Sequence, residues 1–566
     1  MSKAGLSTGH GRMIFPAAVF FGVGLHLVLL LTYLSSSPFA SAPLVDSRYY
    51  WLVATDTVLA GKPLPGVFFG APFYPLFLCV SVWLFGPVFW PVYVFQTGLC
   101  LATVFLVYRT VLTAFGKNPA RWAAVLLLYY APFAFQSLKL LPDTWGFFFL
   151  ALFLAVSSAT GRSLKMAVLW GLLAGIMVLC RAQLFLPALA IIAFKALWPW
   201  SASRLRPGLL TICAMIAALL PFALYTKVHT GRFTPFPPYS GLSLLEGNNP
   251  AAAGTYSRVV SDEDRMENRL SDMVKDASKI TGQKVKDPFE ADRIFRKRAF
   301  SFMRNEPEEF LALLCKKAVL MVSPRETFDI YDLYAERRLF LPVLYLFFSG
   351  WFLVFPLGLA GAWKIFNEPE ARTRAVPFAL AVLCLSGILL VFFVNSRYRL
   401  LLLPALVPFS GLGADALPLW ARGRKTALMS LFGGILALMT LWVLLTNTSP
   451  TPSGVLSAGK ALAMAGRAGE SVALFENLAQ ENPFSLDLKN SLALLYIWEG
   501  RFTKASPLVE ELAKSPQFEP RARLYRRLMS EGRSRYGSPG GADVVPSDSF
   551  RSFLHEESYE WRTKNP

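Results

Sequence analysis

The sequence is poor in charged residues, histidine and cysteine. Only 16% of its 566 residues are Asp, Glu, Lys or Arg, whereas soluble domains carry about 25%, which excludes an ordinary soluble protein. It has no Gly-rich phosphate-binding loop, histidine metal cluster or Ser-His-Asp set, so a cytoplasmic nucleotide-sugar site has no support. The cysteines form no C-x-x-C pair and most lie in apolar runs, which favours buried small side chains over a zinc site or a disulfide framework. They are Cys79, Cys100, Cys180, Cys213, Cys315 and Cys384.

Apolar residues dominate the chain instead. They make up 54% of it, aromatic residues make up 14%, and the mean hydropathy is +0.43. This composition predicts an all-α polytopic membrane protein. A net charge of +19 would also suit nucleic acid, but Lys and Arg cluster in short loops between apolar runs, as the positive-inside rule requires. We therefore expect the lipid bilayer as a partner and no nucleic acid.

Eleven apolar segments are predicted to cross the membrane, each near the length of about 20 residues that a bilayer requires. The first is too long for a signal peptide and is expected to remain as an anchor. With the N-terminus in the cytoplasm, the short cytoplasmic connections hold thirteen Lys and Arg and the short outside connections hold six, as the positive-inside rule predicts. The odd count then places the C-terminus outside. The segments are 14–34, 88–108, 122–138, 144–160, 166–181, 184–200, 208–226, 339–362, 376–394, 398–417 and 427–446, of which 166–200 is the least secure as two spans.

Two outer loops accompany these spans. The first loop, 35–87, contains an apolar stretch at 73–85 that is short and preceded by prolines, which favours a helix at the membrane interface. The second loop, 227–338, is long enough to expect a functional role and carries an amphipathic stretch over 288–322. Together with the spans, these loops form a predicted transmembrane domain, residues 1–446.

The tail contains an internal repeat. Gly466 recurs as Gly500, 34 residues later and again followed by Arg, and 34 residues is the tetratricopeptide period. Because two such units are fewer than the three usually needed for stability, we expect 455–532 to be capped by the helix that begins at Glu519, or to be docked on the loop domain. The flanking segments are predicted to be a linker, 447–454, and a disordered tail, 533–566.

Two acids, Asp46 and Asp143, fall on the outside face beside apolar segments. Acids at a membrane are costly and usually functional. Two carboxylates on one face suit general-base work on an acceptor hydroxyl or coordination of a divalent cation. The alternative for Asp46 is a solvated loop acid or a helix N-cap, and the alternative for Asp143, between a proline and an apolar run, is an N-cap.

Arginines at the outer rim are candidates for binding an anion. Arg181 and the trio Arg397-Tyr398-Arg399 lie between apolar runs. Guanidinium groups bind phosphates bidentately, and a lipid phosphate would lie at this depth. The alternative is snorkelling of arginine at the end of a span. A functional role is favoured for Arg397, because the connection from Asn395 onward places several polar residues in a very short stretch.

The order of these motifs resembles the GT-C superfamily of polyprenyl-phosphate-sugar-dependent glycosyltransferases, near its protein O-mannosyltransferase and aminoarabinose-transferase branch (glycosyltransferase family 39-like). No motif is specific alone, and the resemblance covers about residues 10–446, which leaves out the repeat tail. The motifs that carry it are Asp46 with Tyr49 or Tyr50, Gly61, Ala71-Pro72-Phe73-Tyr74-Pro75, Asp143, Gly231-Arg232-Phe233, Glu246-Gly247-Asn248-Asn249-Pro250, and Arg397-Tyr398-Arg399-Leu400 through Pro404.

This resemblance implies an inverting transfer of a sugar from a polyprenyl-phosphate donor to a protein, lipid or glycan acceptor on the extracytoplasmic face, in a membrane that the composition favours as a bacterial inner membrane. Many members have two adjacent acids in the first loop, whereas here Ser47 follows Asp46, which weakens the case for a divalent cation as cofactor. The resemblance implies catalytic roles for Asp46, as the base, and Asp143. It implies donor-phosphate binding by Arg397, Arg399, Arg181 and Lys139, and substrate binding by Tyr49, Tyr50, Tyr74, Glu246, Asn248 and Asn249.

Two other classes of function stay open. A transporter would need ionisable groups near the bilayer midplane, and the predicted spans are nearly free of charge. A non-catalytic scaffold would display the repeat tail, a candidate module for binding a protein partner. The scaffold predicts that Asp46→Asn and Arg397→Ala leave function intact while deletion of 455–566 abolishes it, and an enzyme predicts the reverse for the point changes.

Overall fold

The fold is all-α. The computed structural model describes residues 10–159, 163–198, 202–257, 259, 268–327, 329–422, 433–435, 437–439, 441–442, 451–481, 483–516 and 518–536. Within these residues there is no β-strand, only an isolated bridge between Tyr130 and Ser349. The predicted all-α polytopic membrane fold is therefore confirmed.

The chain divides into two compact units. The membrane unit comprises Met1–Ser36, Val45–Leu333 and Leu339–Thr448, and the repeat unit comprises Ser37–Leu44, Tyr334–Arg338 and Ser449–Pro566. The described helices up to residue 422 are α1 (His10–Ser36), α2 (Val45–Val58), α3 (Phe73–Phe85), α4 (Trp90–Phe115), α5 (Lys117–Leu128), α6 (Ala131–Gln136), α7 (Asp143–Ala159), α8 (Leu164–Cys180), α9 (Phe185–Leu197), α10 (Ala202–Thr230), α11 (Ser240–Gly247), α12 (Arg269–Thr281), α13 (Pro288–Asn305), α14 (Pro307–Val322), α15 (Leu333–Leu339), α16 (Trp351–Phe366), α17 (Pro369–Val391), α18 (Ser396–Arg399) and α19 (Leu403–Arg422).

Five described helical segments are long and apolar enough to cross a membrane by length and composition. They are Ile14–Ser36, Trp90–Phe115, Ser203–Thr230, Pro369–Val391 and Ser396–Leu417. Other predicted spans correspond to shorter apolar helices, among them α7, α8 and α16. The segment 166–200 forms two helices, α8 and α9, on either side of the break at Arg181. The count of eleven stays a prediction, and its last span, 427–446, lies largely outside the described residues.

Two predicted spans begin or break elsewhere than expected. The span predicted at 122–138 is divided between α5 and α6, and the break contains Tyr129 and Tyr130. Pro132, which has no N–H to donate to a continuous helix, lies in the first turn of α6. At the break, Ser349 N–H donates to the Tyr129 carbonyl over 3.0 Å, and Ala131 N–H donates to the Ser349 carbonyl over 3.3 Å. The span predicted at 339–362 likewise differs, because its α-helix, α16, begins only at Trp351, two residues after Ser349.

Glycines bring α16 and α19 into close contact. A Cβ atom added to Gly361 would lie 1.9 Å from the Phe409 carbonyl oxygen, and one added to Gly413 would lie 2.1 Å from the Leu357 carbonyl oxygen. Small residues let helix backbones approach in membranes, where packing and hydrogen bonding replace the hydrophobic effect between helices. These two glycines therefore set the spacing between α16 and α19.

The second outer loop has a core of its own. Helices α11, α12 and α13 bury a shared apolar cluster that includes Leu242, Met273 and Phe295. The carboxylate of Asp292, on α13, accepts hydrogen bonds from the N–H groups of Gly241 and Leu242 over 2.6 and 3.2 Å. These N–H groups belong to the first turn of α11, where a helix lacks internal acceptors. The loop is thus a packed helical element, and its predicted amphipathic stretch is divided into α13 and α14.

The repeat unit consists of two helix pairs and a fifth helix. The pairs are α20 (Pro452–Met464) with α21 (Ala468–Glu481) and α22 (Leu486–Trp498) with α23 (Phe502–Leu512), and α24 is Glu519–Tyr536. Corresponding helices begin 34 residues apart, and the turns contain Gly466 at φ 78° and Gly500 at φ 75°, a conformation that glycine adopts without steric cost. Residues of α21 to α24 share one buried core. The assignment of these helices to tetratricopeptide-like repeats stays a prediction.

Two predicted segments flank the helices of the tail, a linker and a disordered end. The predicted linker, 447–454, ends early, because α20 begins at Pro452 and the Thr451 side chain accepts a hydrogen bond from Gly454 N–H over 3.0 Å, a typical N-cap. The predicted disordered tail, 533–566, lies outside the described residues beyond residue 536.

Candidate functional site

Asp46 lies in the first turn of α2, directly after a strained residue. Val45 has φ 48°, and the left-handed region is a genuine outlier for a β-branched side chain. Such strain costs about 1–3 kcal/mol and clusters at functional sites. The side chain of Asp46 is 13% exposed, so the carboxylate is largely buried but still accessible to solvent.

Asp143 is the first residue of α7 and is completely buried. It forms an ion pair with Arg181, which lies at the break between α8 and α9. Gln136, from α6, donates a hydrogen bond to Asp143 Oδ2 over 3.2 Å. A helix N-terminus favours a negative charge, and the buried charge is also paired, as burial requires. The position of Asp143 is therefore fixed from three directions.

Arg397 joins both acids. Its Nη1 and Nη2 atoms lie 3.3 and 3.4 Å from Asp46 Oδ2, and its Nε atom lies 3.9 Å from Asp143 Oδ2. The guanidinium is positioned by α18, whose N-terminus is capped by the Asn395 side chain accepting from Tyr398 N–H over 2.9 Å. The predicted residues Asp46, Asp143, Arg181 and Arg397 thus form one charged cluster.

A third acid, Asp329, completes the cluster and was not predicted. Its Oδ2 atom lies 3.4 Å from Arg397 Nη2, and 20% of its side chain is exposed. Removal from water raises the pKa of Asp329, while Arg397 lowers it. The sequence carries a similar signal here as at Asp46, an acid near a tyrosine (Tyr331) in a loop close to an apolar segment, so that pattern could have identified it.

Aromatic side chains line the cluster. Arg397 and Arg181 lie 5.0 and 5.5 Å from the ring centre of Tyr398, within the range of cation–π attraction. Burial, and next the charge of Asp46, raise the pKa of Tyr50, so this tyrosine stays protonated. A Cβ atom at Gly70 would lie 2.6 Å from the Tyr50 hydroxyl oxygen, which places the backbone of the first outer loop against the site.

Two other predicted phosphate-binding residues have different surroundings. Lys139 exposes 1% of its surface, and its Nζ atom lies 4.2 Å from the ring centre of Phe135 and 4.6 Å from those of Tyr33 and Tyr331. Arg399 donates to the carbonyls of Leu320, Met321 and Ser323, at the end of α14, and pairs with Glu326 over 2.9 Å. The contacts described for these two cations are thus with groups other than Asp46 and Asp143.

Most of the predicted substrate-binding residues make internal contacts. The Tyr49 hydroxyl accepts from Phe69 N–H over 3.1 Å, and Tyr74 donates to Gln96 over 2.8 Å. Glu246 is buried in an ion pair with Arg269. The side-chain amide of Asn248 donates hydrogen bonds to the carbonyls of Leu244 and Val391, and its oxygen accepts one from Lys317. The side-chain amide of Asn249 donates to the Leu245 carbonyl and to the Ser257 hydroxyl. Among the six, Tyr50 is near enough to Asp46 to interact with its charge.

The cluster does not fit a divalent cation. Among the described residues, no group of three or more His, Cys, Asp and Glu side chains has an arrangement that could hold a metal ion. Asp46, Asp143 and Asp329 instead face a guanidinium group, which occupies the position between them. We therefore derive no step through a metal.

These features define an integral membrane protein of all-α fold with a buried cluster of three carboxylates and two guanidinium groups. No protein-family model matches the sequence, and no curated protein matches it. Solved structures that are similar to it include the archaeal oligosaccharyltransferase AglB from Archaeoglobus fulgidus in complex with an inhibitory peptide and a dolichol-phosphate, with a TM-score of 0.41 and 12% identity over 80% of this chain. The match spans 56% of that AglB chain, somewhat over half of its length. ArnT from Cupriavidus metallidurans bound to undecaprenyl phosphate has a TM-score of 0.33 and 15% identity, covering 71% of this chain and 80% of that one.

Proposed function

We propose that this protein is a membrane glycosyltransferase of the GT-C type, which transfers a sugar from a polyprenyl-phosphate donor to an acceptor hydroxyl on the extracytoplasmic face. The observation that carries the proposal is the meeting of Asp46 with Arg397, 351 residues apart in the chain, at 3.3 Å. Transfer from a lipid phosphate needs a base for the acceptor and a cation for the departing phosphate, and we assign these two roles to this pair.

Asp46 is the proposed general base. Its carboxylate remains partly open to solvent, whereas Asp143 is fully buried and held by Arg181. The acceptor oxygen attacks the anomeric carbon while Asp46 takes the hydroxyl proton. The bond between the anomeric carbon and the phosphate oxygen breaks, and the polyprenyl phosphate leaves with the bonding electrons. A single displacement of this kind inverts the anomeric centre.

Arg397 and Arg181 are the proposed partners of the departing phosphate. Both guanidinium groups lie in the cluster, where low solvent exposure strengthens their attraction for charge that develops in the transition state. We assign Asp143 a positioning role, because it touches both arginines. We assign Lys139 and Arg399 to the support of the site, because of the partners described above.

The second outer loop and the tail complete the proposal. We propose that the loop, 227–338, covers the bound donor and excludes water, which otherwise hydrolyses it. The repeat unit is a proposed binding module for the acceptor or for a protein partner. The source of the chain in a bacterial inner membrane, with a cytoplasmic N-terminus and an outside C-terminus, belongs to the same proposal.

The test is release of lipid phosphate from a panel of polyprenyl-phosphate sugars by purified protein and by its Asp46→Asn variant. Loss of a general base lowers rates by about 10²–10⁴-fold, so release of one sugar should fall by at least about 100-fold in the variant. Asp56→Asn, which changes an exposed acid in the same loop, is the matched control and should keep the wild-type rate. Equal release by wild type and Asp46→Asn would contradict the assignment of the base.

A non-catalytic scaffold is the second candidate, and the separate core of the repeat unit favours it. A scaffold would retain its cellular function in Asp46→Asn and Arg397→Ala and lose it when 455–566 is deleted. Complementation with these three variants separates the two functions, because the enzyme loses function with each point change.

A further inference from the structure

The two terminal nitrogen atoms of the Arg397 guanidinium already have partners, whereas its Nε atom makes no hydrogen bond to the described residues. Its Nη1 atom faces Asp46, its Nη2 atom lies 3.4 Å from Asp329 and 3.1 Å from the Tyr398 hydroxyl, and its Nε atom faces Asp143. A guanidinium has five N–H donors in a fixed plane. A phosphate that binds it side-on needs two neighbouring donors. Both such pairs of donors, Nη1 with Nη2 and Nε with Nη2, include an N–H of Nη2, so one of the partners of Nη2 must leave.

The charge of the cluster leads to the same requirement. Three carboxylates and two guanidinium groups give one net negative charge when all are ionised. A sugar phosphodiester would add a second negative charge to a site that is largely shielded from water, where like charges repel strongly. Departure of one carboxylate as the phosphate enters keeps the net charge unchanged.

Asp329 is the carboxylate whose surroundings allow it to leave. Asp46 and Asp143 lie in the first turns of α2 and α7, whereas Asp329 belongs to the non-helical residues 329–332 that precede α15. It is also the most exposed of the three, at 20%. Its raised pKa, caused first by removal from water, indicates that the ionised form is poorly stabilised there.

Thr327, which lies just before Asp329 in the chain, is held in place by Ser396. Thr327 N–H donates to Ser396 Oγ over 2.7 Å, and Ser396 N–H donates to the Thr327 carbonyl over 3.2 Å. Glu326 is held by Arg399. Displacement of the Asp329 side chain from Arg397 can therefore leave these contacts in place, and with them the position of α18.

We propose that Asp329 is a gate residue: it holds Arg397 when no donor is bound and gives up this position to the phosphate of the lipid donor. The inference rests on the proposed function and adds a competition between an internal carboxylate and the substrate phosphate. The competition lowers the affinity for lipid phosphate, because only molecules with Asp329 displaced can bind it.

The experiment measures binding of farnesyl phosphate, and of farnesol as an uncharged probe with the same apolar chain, to the full-length protein in detergent. If about one tenth of wild-type molecules have Asp329 displaced, Asp329→Asn should bind farnesyl phosphate about tenfold more tightly. Asp329→Ser should do the same, which guards against an effect particular to one side chain. Farnesol binding should be unchanged in both.

Two control variants separate the gate from a general effect of charge. Asp329→Glu keeps the charge and should bind farnesyl phosphate no more tightly than wild type. Asp56→Asn removes one negative charge from an exposed pair with Lys62 and should also leave binding unchanged. Tighter binding in Asp56→Asn equal to that in Asp329→Asn would overturn the gate.

The outcomes also separate this inference from the proposed function. Binding of farnesyl phosphate by wild type, with equal or weaker binding by Asp329→Asn and Asp329→Ser, would overturn the gate and leave the glycosyltransferase proposal standing. Absence of binding by wild type and all variants, together with no release from any donor, would overturn both.

Discussion

The pair of Asp143 and Arg181 offers the sharpest test of the charged cluster. Asp143 is fully buried, Arg181 exposes 11% of its side chain, and Gln136 supplies one further hydrogen bond to the acid. Removing one partner of a buried pair leaves the other charge unpaired, at a cost of about 3–5 kcal/mol. Asp143→Asn keeps the size of the side chain, so we expect its free energy of unfolding to fall by about 3 kcal/mol.

The assay is unfolding by SDS in mixed micelles, followed by tryptophan fluorescence. The exposed pair of Asp56 and Lys62, with an N–O distance of 2.9 Å, is the matched control, and Asp56→Asn should change the free energy by less than about 1 kcal/mol. The double variant Asp143→Asn/Arg181→Gln removes both charges and should be more stable than the sum of the single changes predicts, by about 0.5–3 kcal/mol. A cost for Asp143→Asn no larger than that for Asp56→Asn, or strict additivity, would refute the pairing.

Two further predictions concern stability. Burial lowers the pKa of Lys317 to about 8. Between pH 8 and 10.5 the unfolded state therefore binds more protons than the folded state, so the free energy of unfolding should rise by up to about 3 kcal/mol over this range. Lys317→Met should flatten this slope in a pH series of unfolding curves, and a slope of opposite sign in wild type would contradict the burial. Val45→Gly should leave the free energy of unfolding unchanged or raise it by about 1 kcal/mol, because glycine accepts φ 48° without strain. Val58→Gly, at the other end of α2, should lose about 1 kcal/mol, and an equal loss at both positions would show that Val45 is not strained.

The sequence predicted much of the cluster because its members follow one local pattern. Asp46, Asp143, Arg181 and Arg397 each lie near the end of an apolar segment, and the predicted topology puts these ends on one membrane face. Arg399 follows the same pattern, but its side chain bonds to carbonyls at the end of α14. Nothing local distinguishes the two arginines, because the carbonyls that bind Arg399 lie almost 80 residues away in the chain.

The break between α5 and α6 could not be located from hydropathy. The residues on both sides are apolar, so the predicted span at 122–138 reads as continuous. The break depends on a pair of backbone hydrogen bonds with Ser349, a contact between distant parts of the chain.

The order in which the cluster can form during synthesis follows from its sequence spacing. Asp143 and Arg181 are close in the chain, whereas Arg397 emerges 351 residues after Asp46. At about 5–20 residues per second, a ribosome needs roughly 20–70 s to cover that interval. The nascent protein therefore threads most of its helices into the membrane before the arginine that neutralises Asp46 exists, and the site is among the last parts of the membrane unit to be completed.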